Sequence, residues 1–209
     1  MSRRQESWAV LSLDRGTETL DCRRTMADRE ELVARCIAAS EEAEPRHAVK
    51  EVLERGVREI GDAVEKPASG WLDIWHLSPT LTVLNAVWPP GMTLYPHDHR
   101  MWAAIGIYGG REDNTFYRRR DEGLIASGGK DLRQGDVVLL GDDTIHAVHN
   151  PLRRYTGAIH VYGGDFVNTP RSQWPPETLL EEPYDLVAVR ALFDASEQAY
   201  QSSRHGRPV

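Results

Sequence analysis

Two blocks of this chain carry side chains that could act on one chemical centre. The first is Gly91-Met92-Thr93-Leu94-Tyr95-Pro96-His97-Asp98-His99; the second runs from Gly135 through Gly141, Asp142 and Asp143 to His146 and Asn150. Two histidines one residue apart suit a strand, because alternate strand side chains point to the same face. His97 and His99 then converge on one point while Asp98 turns away. A third imidazole from a separate strand, His146, completes one face of a metal and leaves the other open, as catalytic sites require. Imidazole donors accept Fe(II), Zn(II), Ni(II) and Cu(II). His149, three residues after His146, falls on the opposite face of a continuing strand and reads as a supporting or surface residue.

A second constellation is Ala158-Ile159-His160-Val161-Tyr162, which puts residues 158, 160 and 162 on one strand face. An imidazole two residues away can hold a phenol, and the phenol can hydrogen-bond charge that develops on a substrate. On these residues alone, a core histidine beside a tyrosine that caps the barrel end remains an alternative. So do ordinary hydrogen-bonded strand histidines at His97 and His99.

The two histidine blocks resemble the paired motifs of the cupin superfamily, G-x5-H-x-H and G-x5-P-x-G-x2-H-x3-N. Gly141 and Asp143 stand where the later motif has Pro and Gly, and Ala103 stands where the first carries a glutamate ligand. Three imidazoles without a carboxylate resemble the thiol dioxygenases of the cysteine dioxygenase family. That family also carries a Ser-x-His-x-Tyr segment, matched here by His160 and Tyr162 with Ala158 in place of the serine. The resemblance covers about residues 71–167. It implies Fe(II) on His97, His99 and His146, with Tyr162 and His160 as catalytic partners. The reaction implied is oxidation of a small thiol, cysteine-like or a mercapto acid, to its sulfinate with O2. A divalent ion that no carboxylate neutralises also suits an anionic substrate such as a thiolate.

The chain departs from that family at two places. Ala104 stands where mammalian members have a cysteine that cross-links to the tyrosine, so no such link forms. No arginine occurs in Ile74-Trp75-His76-Leu77, near the place of the arginine that pairs with a substrate carboxylate; His76 and Arg100 are the candidate anchors, although alternation points Arg100 away from the metal. The same three histidines also suit a cupin oxygenase acting on a carbon centre, such as a dicarbonyl or an aromatic ring, or a cupin that binds metal without redox turnover.

These residues need a rigid scaffold. From Trp71 to Val167, short β-branched and aromatic runs alternate with Gly, Pro, Asp and Asn. They predict strands at Trp71–Leu77, Thr80–Trp88, Thr93–His99, Trp102–Tyr108, Asn114–Arg119, Asp136–Leu140, Ile145–Asn150 and Gly157–Tyr162, the cadence of a sandwich or barrel. With the two histidine blocks, the expectation is a mainly β chain: a cupin double-stranded β-helix, or jelly-roll barrel, with an N-terminal helical segment and a C-terminal helix. Gln134-Gly135-Asp136 is the expected turn that returns the His146 strand to the metal. Trp102, Ile105, Ile107 and Tyr108 are expected to line the barrel, and Arg111-Glu112-Asp113-Asn114 reads as a charged turn.

Ser7–Leu13 has the texture of a short strand, and Thr25-Met26-Ala27-Asp28 the form of a capping box that opens a helix. A second helix is expected to start near Pro45, with an apolar stripe of Val49, Val52, Leu53, Val57, Ile60 and Val64 that packs on the barrel. Pro67-Ala68-Ser69-Gly70 interrupts the pattern, so residues 1–66 are expected to be a helical appendage and 67–209 the barrel domain. A last helix is expected from about Tyr184 to Tyr200, with Leu186, Val189, Leu192 and Phe193 inward, before a frayed tail over 202–209.

Composition narrows the class. A net charge of −7 argues against nucleic acid as the main partner, and Arg118–Arg120 with Arg153-Arg154 read as solvated strand ends. No run of about 18 apolar residues exists, and the first 24 residues hold no signal-peptide core. Cys22 and Cys36 make neither a disulfide framework nor a zinc site. The expectation is a cytoplasmic enzyme, a monomer or small homo-oligomer, whose partners are a small thiol and O2 and neither nucleic acid nor membrane.

Overall fold

The computed structural model describes residues 20–63 and 69–205. Helices α1 (Leu20–Ser40) and α2 (Pro45–Ala63) precede nine strands: β1 (Trp71–Leu77), β2 (Thr82–Trp88), β3 (Thr93–Asp98), β4 (Ala103–Gly109), β5 (Arg111–Arg119), β6 (Leu124–Arg133), β7 (Val137–Leu140), β8 (Ile145–His149) and β9 (Thr156–Tyr162). Two short strands, β10 (Ser172–Gln173) and β11 (Glu182–Pro183), lead to α3 (Leu186–His205). One sheet has the order β1-β2-β9-β4-β7 and the other β11-β10-β3-β8-β5-β6.

From β2 to β9 the chain alternates between the sheets around a central β5–β6 hairpin. Its antiparallel pairs are β2 with β9, β3 with β8, β4 with β7 and β5 with β6. A long hairpin wound in this way is a double-stranded β-helix, the jelly-roll barrel expected from the sequence. The turn at Gly135 is also as expected: its φ of +90° suits glycine, and its amide donates to the Ile107 carbonyl at 2.8 Å.

The first sheet is covered on both faces, which explains why β2 and β9 are buried at every position. Inward-facing Ala103, Ile105 and Ile107 of β4 join the barrel core with Leu84, Ala86 and Ala158. The opposite face, Leu81, Val83, Ala104, Tyr108, Ile159 and Val161, packs on Leu32 and Cys36 of α1 and on Val49, Leu53 and Val57 of α2. Trp102 and Tyr108 therefore pack toward the helices instead of lining the barrel, because they alternate out of phase with Ile105 and Ile107. Gly106 permits the close approach: a Cβ there would lie 2.6 Å from Cγ1 of Val57.

Several boundaries differ from expectation. Helix α1 starts at Leu20, so Thr25 lies within it; the segment before Thr25 contains no helix breaker, and a capping pattern can also occur in a helix interior. Strand β5 begins at Arg111, so the expected charged turn is strand, and β6 was not foreseen at all. Nearly every β6 side chain is exposed and Gly128-Gly129 interrupts it, which leaves Leu132 as its one buried residue. Helix α3 starts later and runs longer than expected, through His205. Asp185 Oδ1 caps it, accepting from the amides of Val187 at 2.8 Å and Ala188 at 3.1 Å. Ser7–Leu13, Val64, Pro67 and Ala68 of the Pro67–Gly70 break, and residues 206–209 lie outside the described residues. No described helix is long and apolar enough to cross a membrane.

Candidate metal centre

Strands β3 and β8 pair so that His97 stands opposite His146. Strict alternation from the inward-facing Leu94 would turn His97 outward. A register irregularity between Leu94 and His97 shifts the phase, and His97, Asp98 and His99 all become buried. His97, His99 and His146 each offer a ring nitrogen within 4.8 Å of the others. The ring centroids of His97 lie 5.0 Å from those of His99 and 4.7 Å from those of His146.

The proton positions fit metal binding. His97 Nδ1 donates to the Tyr95 carbonyl at 3.0 Å and His146 Nδ1 to Asn114 Oδ1 at 2.6 Å, so both Nε2 atoms carry lone pairs. His99 Nε2 lies 3.4 Å from His146 Nε2, and His99 Nδ1 is buried without a hydrogen-bond partner. Burial pushes His97 down to about 4, and it lowers His99 and His146 well below the ordinary imidazole value. Neutral nitrogens converging in this way suit a divalent ion of the imidazole-binding class. Ala103, which stands where the cupin motif carries a glutamate ligand, faces the core from β4.

The neighbouring acid and histidine take other work. Asp98 points away from the triad, as expected; it accepts the Ser172 amide at 2.7 Å and pairs with Arg100 Nε at 2.7 Å and Arg119 Nη2 at 2.9 Å. Arg119, expected to be a solvated strand end, thus holds a buried carboxylate. His149 faces away, with its Nδ1 2.9 Å from Thr93 Oγ1. Asn150 is structural: its amide group donates to the carbonyls of Trp88, Pro89 and Arg154. His76 sits half-buried on edge strand β1, and its ring makes no hydrogen bond.

No family model matches the chain. Its fold resembles solved structures of low sequence identity. One is a cupin family protein with a double-stranded β-helix fold from Methanocaldococcus jannaschii (12% identity, 49% of this chain and 87% of that chain, TM-score 0.42). Another is a cupin superfamily protein from Desulfitobacterium hafniense (14% identity, 51% and 88%, TM-score 0.41). A third is a deletion mutant of oxalate decarboxylase from Bacillus subtilis (17% identity, 53% and 28%, TM-score 0.41). The fold assignment rests on this chain's own strand order.

Beside the triad stand the two residues of β9. Tyr162 packs edge-on to His99 at 4.9 Å between ring centroids, and its hydroxyl lies 3.0 Å from His160 Nδ1. Both are buried, and burial raises the phenol well above its ordinary value.

Three residues near this centre were not foreseen. Strand β10 pairs with β3 at Gln173 and His97, which brings Arg171 in from a segment far along the chain. The Arg171 guanidinium lies between the rings of Phe166, at 4.0 Å, and Tyr184, at 4.1 Å. It is buried, and its Nε and Nη2 have no hydrogen-bond partner. Its charge bears on His97, His99 and Tyr162, opposing protonation of the imidazoles and favouring ionisation of the phenol. Tyr184, whose ring is 5.7 Å from that of His97, comes with the same segment. The third residue is Glu112, fully buried on β5. A buried Arg or Glu is invisible to composition, since both residue types usually face water; the available signal was the even spacing of Glu112 and Asn114.

Proposed function

We propose that the chain is a mononuclear Fe(II) dioxygenase that oxidises a small thiol bearing a carboxylate to its sulfinate. The observation that carries this is the buried Arg171 guanidinium, two of whose N–H-bearing nitrogens are unpartnered beside three neutral imidazoles. A buried cation without a counter-ion is costly, and a substrate carboxylate is the partner that removes the cost. His97, His99 and His146 would hold the metal, which would supply thiolate coordination and the electron transfer that lets O2 react. Both oxygen atoms of O2 end on sulfur, so the thiolate and O2 account for every atom of the sulfinate.

The chain's own groups do the positioning. Arg171, planar and fixed between Phe166 and Tyr184, would orient the carboxylate end. Tyr162, held by His160, is the polar group available to the sulfur end. The buried aromatic wall of Tyr162 and Phe166, stacked at 4.3 Å, would exclude water around the reacting atoms.

Oxygen uptake by anaerobically iron-loaded protein tests the proposal against cysteine, 3-mercaptopropionate, mercaptosuccinate and cysteamine, with the sulfinate identified as product. Carboxylate-bearing thiols should drive uptake and cysteamine, which has no carboxylate, should do so poorly. Absence of thiol-dependent uptake with every one of these compounds would refute thiol oxidation, and a preference for cysteamine would refute the role of Arg171.

A further inference from the structure

Glu112 points into the barrel from β5, in phase with Asn114, and is fully buried. Its Oε2 accepts from Trp88 Nε1 at 2.8 Å, and its Oε1 accepts from Asn114 Nδ2 at 3.0 Å. The same Oε2 lies 3.6 Å from His160 Nε2, a nitrogen with no other polar partner. We propose that Glu112 is a positioning residue whose acceptor-only carboxylate sets the proton positions in both the metal-ligand branch and the tyrosine branch of the site.

In the first branch, an ionised carboxylate can only accept. Asn114 must therefore turn its NH2 toward Glu112, which aims its Oδ1 at His146 Nδ1, 2.6 Å away. That nitrogen must carry the proton, and His146 is left with an unprotonated Nε2 facing His97 and His99. Glu112 thus selects the ligating tautomer of a histidine it does not touch.

In the second branch, the His160 nitrogen that faces the carboxylate is Nε2. At 3.6 Å the contact is too long for a hydrogen bond, but in a dry interior a lone pair aimed at a carboxylate is repelled and an N–H is attracted. Nε2 therefore carries the proton, and Nδ1 accepts the Tyr162 hydroxyl at 3.0 Å. The oxygen lone pairs of Tyr162 are left for the substrate, so an incoming thiol meets an acceptor for its S–H. The group that polarises the His160 ring is thus Glu112, reaching it from β5. The consequence for the thiol rests on the function proposed above; the proton positions do not.

Both branches are read on the full chain loaded with Zn(II), using long-range proton–nitrogen NMR of 15N-histidine-labelled protein. The His160 signals are assigned by their loss in His160→Gln. Wild-type His160 should be the Nε2–H tautomer. Glu112→Gln keeps the shape but places an NH2 where one carboxylate oxygen was. Either His160 then changes to Nδ1–H, or Asn114 turns over and Zn(II) affinity, measured by chelator competition, falls roughly 10–100-fold. Wild-type His160 found as Nδ1–H would overturn the proposal whether or not the variant folds. A folded Glu112→Gln with both readouts unchanged would overturn it as well. Neither readout involves turnover, so failure of thiol oxidation and failure of this proposal are separate results.

Discussion

The two faces of the β1-β2-β9-β4-β7 sheet do different work. Its outer face meets α1 and α2 through aliphatic side chains and Tyr108, whose hydroxyl is satisfied by Asn85 Oδ1 at 3.0 Å. Its inner face contributes His160 and Tyr162 to a cluster that also draws on β3, β5, β8 and the β10 segment. Buried polar atoms usually find partners. Among the described residues, four of the five that do not belong to His99, His160 and Arg171 at this cluster; the fifth is Arg35 Nε on α1. The helix-covered face is held mainly by apolar packing, whereas most of the unpartnered buried polar atoms lie in the barrel interior.

The sharpest way to break that contrast is at His146. His146→Ala should abolish most metal binding, a loss beyond the roughly 10–100-fold seen when only a residue behind a ligand is changed. Full metal content by elemental analysis would refute the ligand set. On the other face, Leu53→Ala should lower unfolding free energy by about 2–5 kcal/mol in denaturant titrations while leaving metal affinity unchanged. A shift in metal affinity there would show that the two faces are coupled.

Acid should attack the inner face alone. His97 has a folded value of about 4 against the usual 6.5, so between those values the unfolded chain binds a proton that the folded chain refuses. Stability of the metal-free protein is thus full above pH 6.5 and falls as pH drops toward 4. Histidine 97 contributes about 3 kcal/mol of that loss, and His99 and His146 act in the same direction. Denaturant midpoints that stay flat from pH 7 to 4.5 would contradict it. The smallest effect is expected at Tyr162→Phe, which should keep the metal and slow the proposed thiol oxidation roughly 10–100-fold. Unchanged turnover would reduce Tyr162 to packing.

Much of the barrel was legible because strand side chains repeat every two residues and the strands from β2 to β9 are short and separated by turn formers. The strand β6 was not, since it has a solvent-facing, glycine-broken sequence and owes its place to β5. The capping pattern at Thr25 misled for a related reason, as it is local and nothing nearby says whether a helix has already begun. Within the site, His97, His99, His146, His160 and Tyr162 stand out in the sequence by residue type and spacing. The positions of Glu112 and Arg171 did not, because a charged side chain in isolation reads as solvent-facing.

From the sequence alone came the sets of histidines and the tyrosine that share a strand, since alternation is a property of a few neighbouring residues. The tertiary structure decided which strand faces which. The irregularity after Leu94 turns His97 inward, the pairing of β10 with β3 delivers Arg171, and the β5 register buries Glu112. Those outcomes depend on contacts between residues tens of positions apart, and no local pattern encodes the register in which two strands meet.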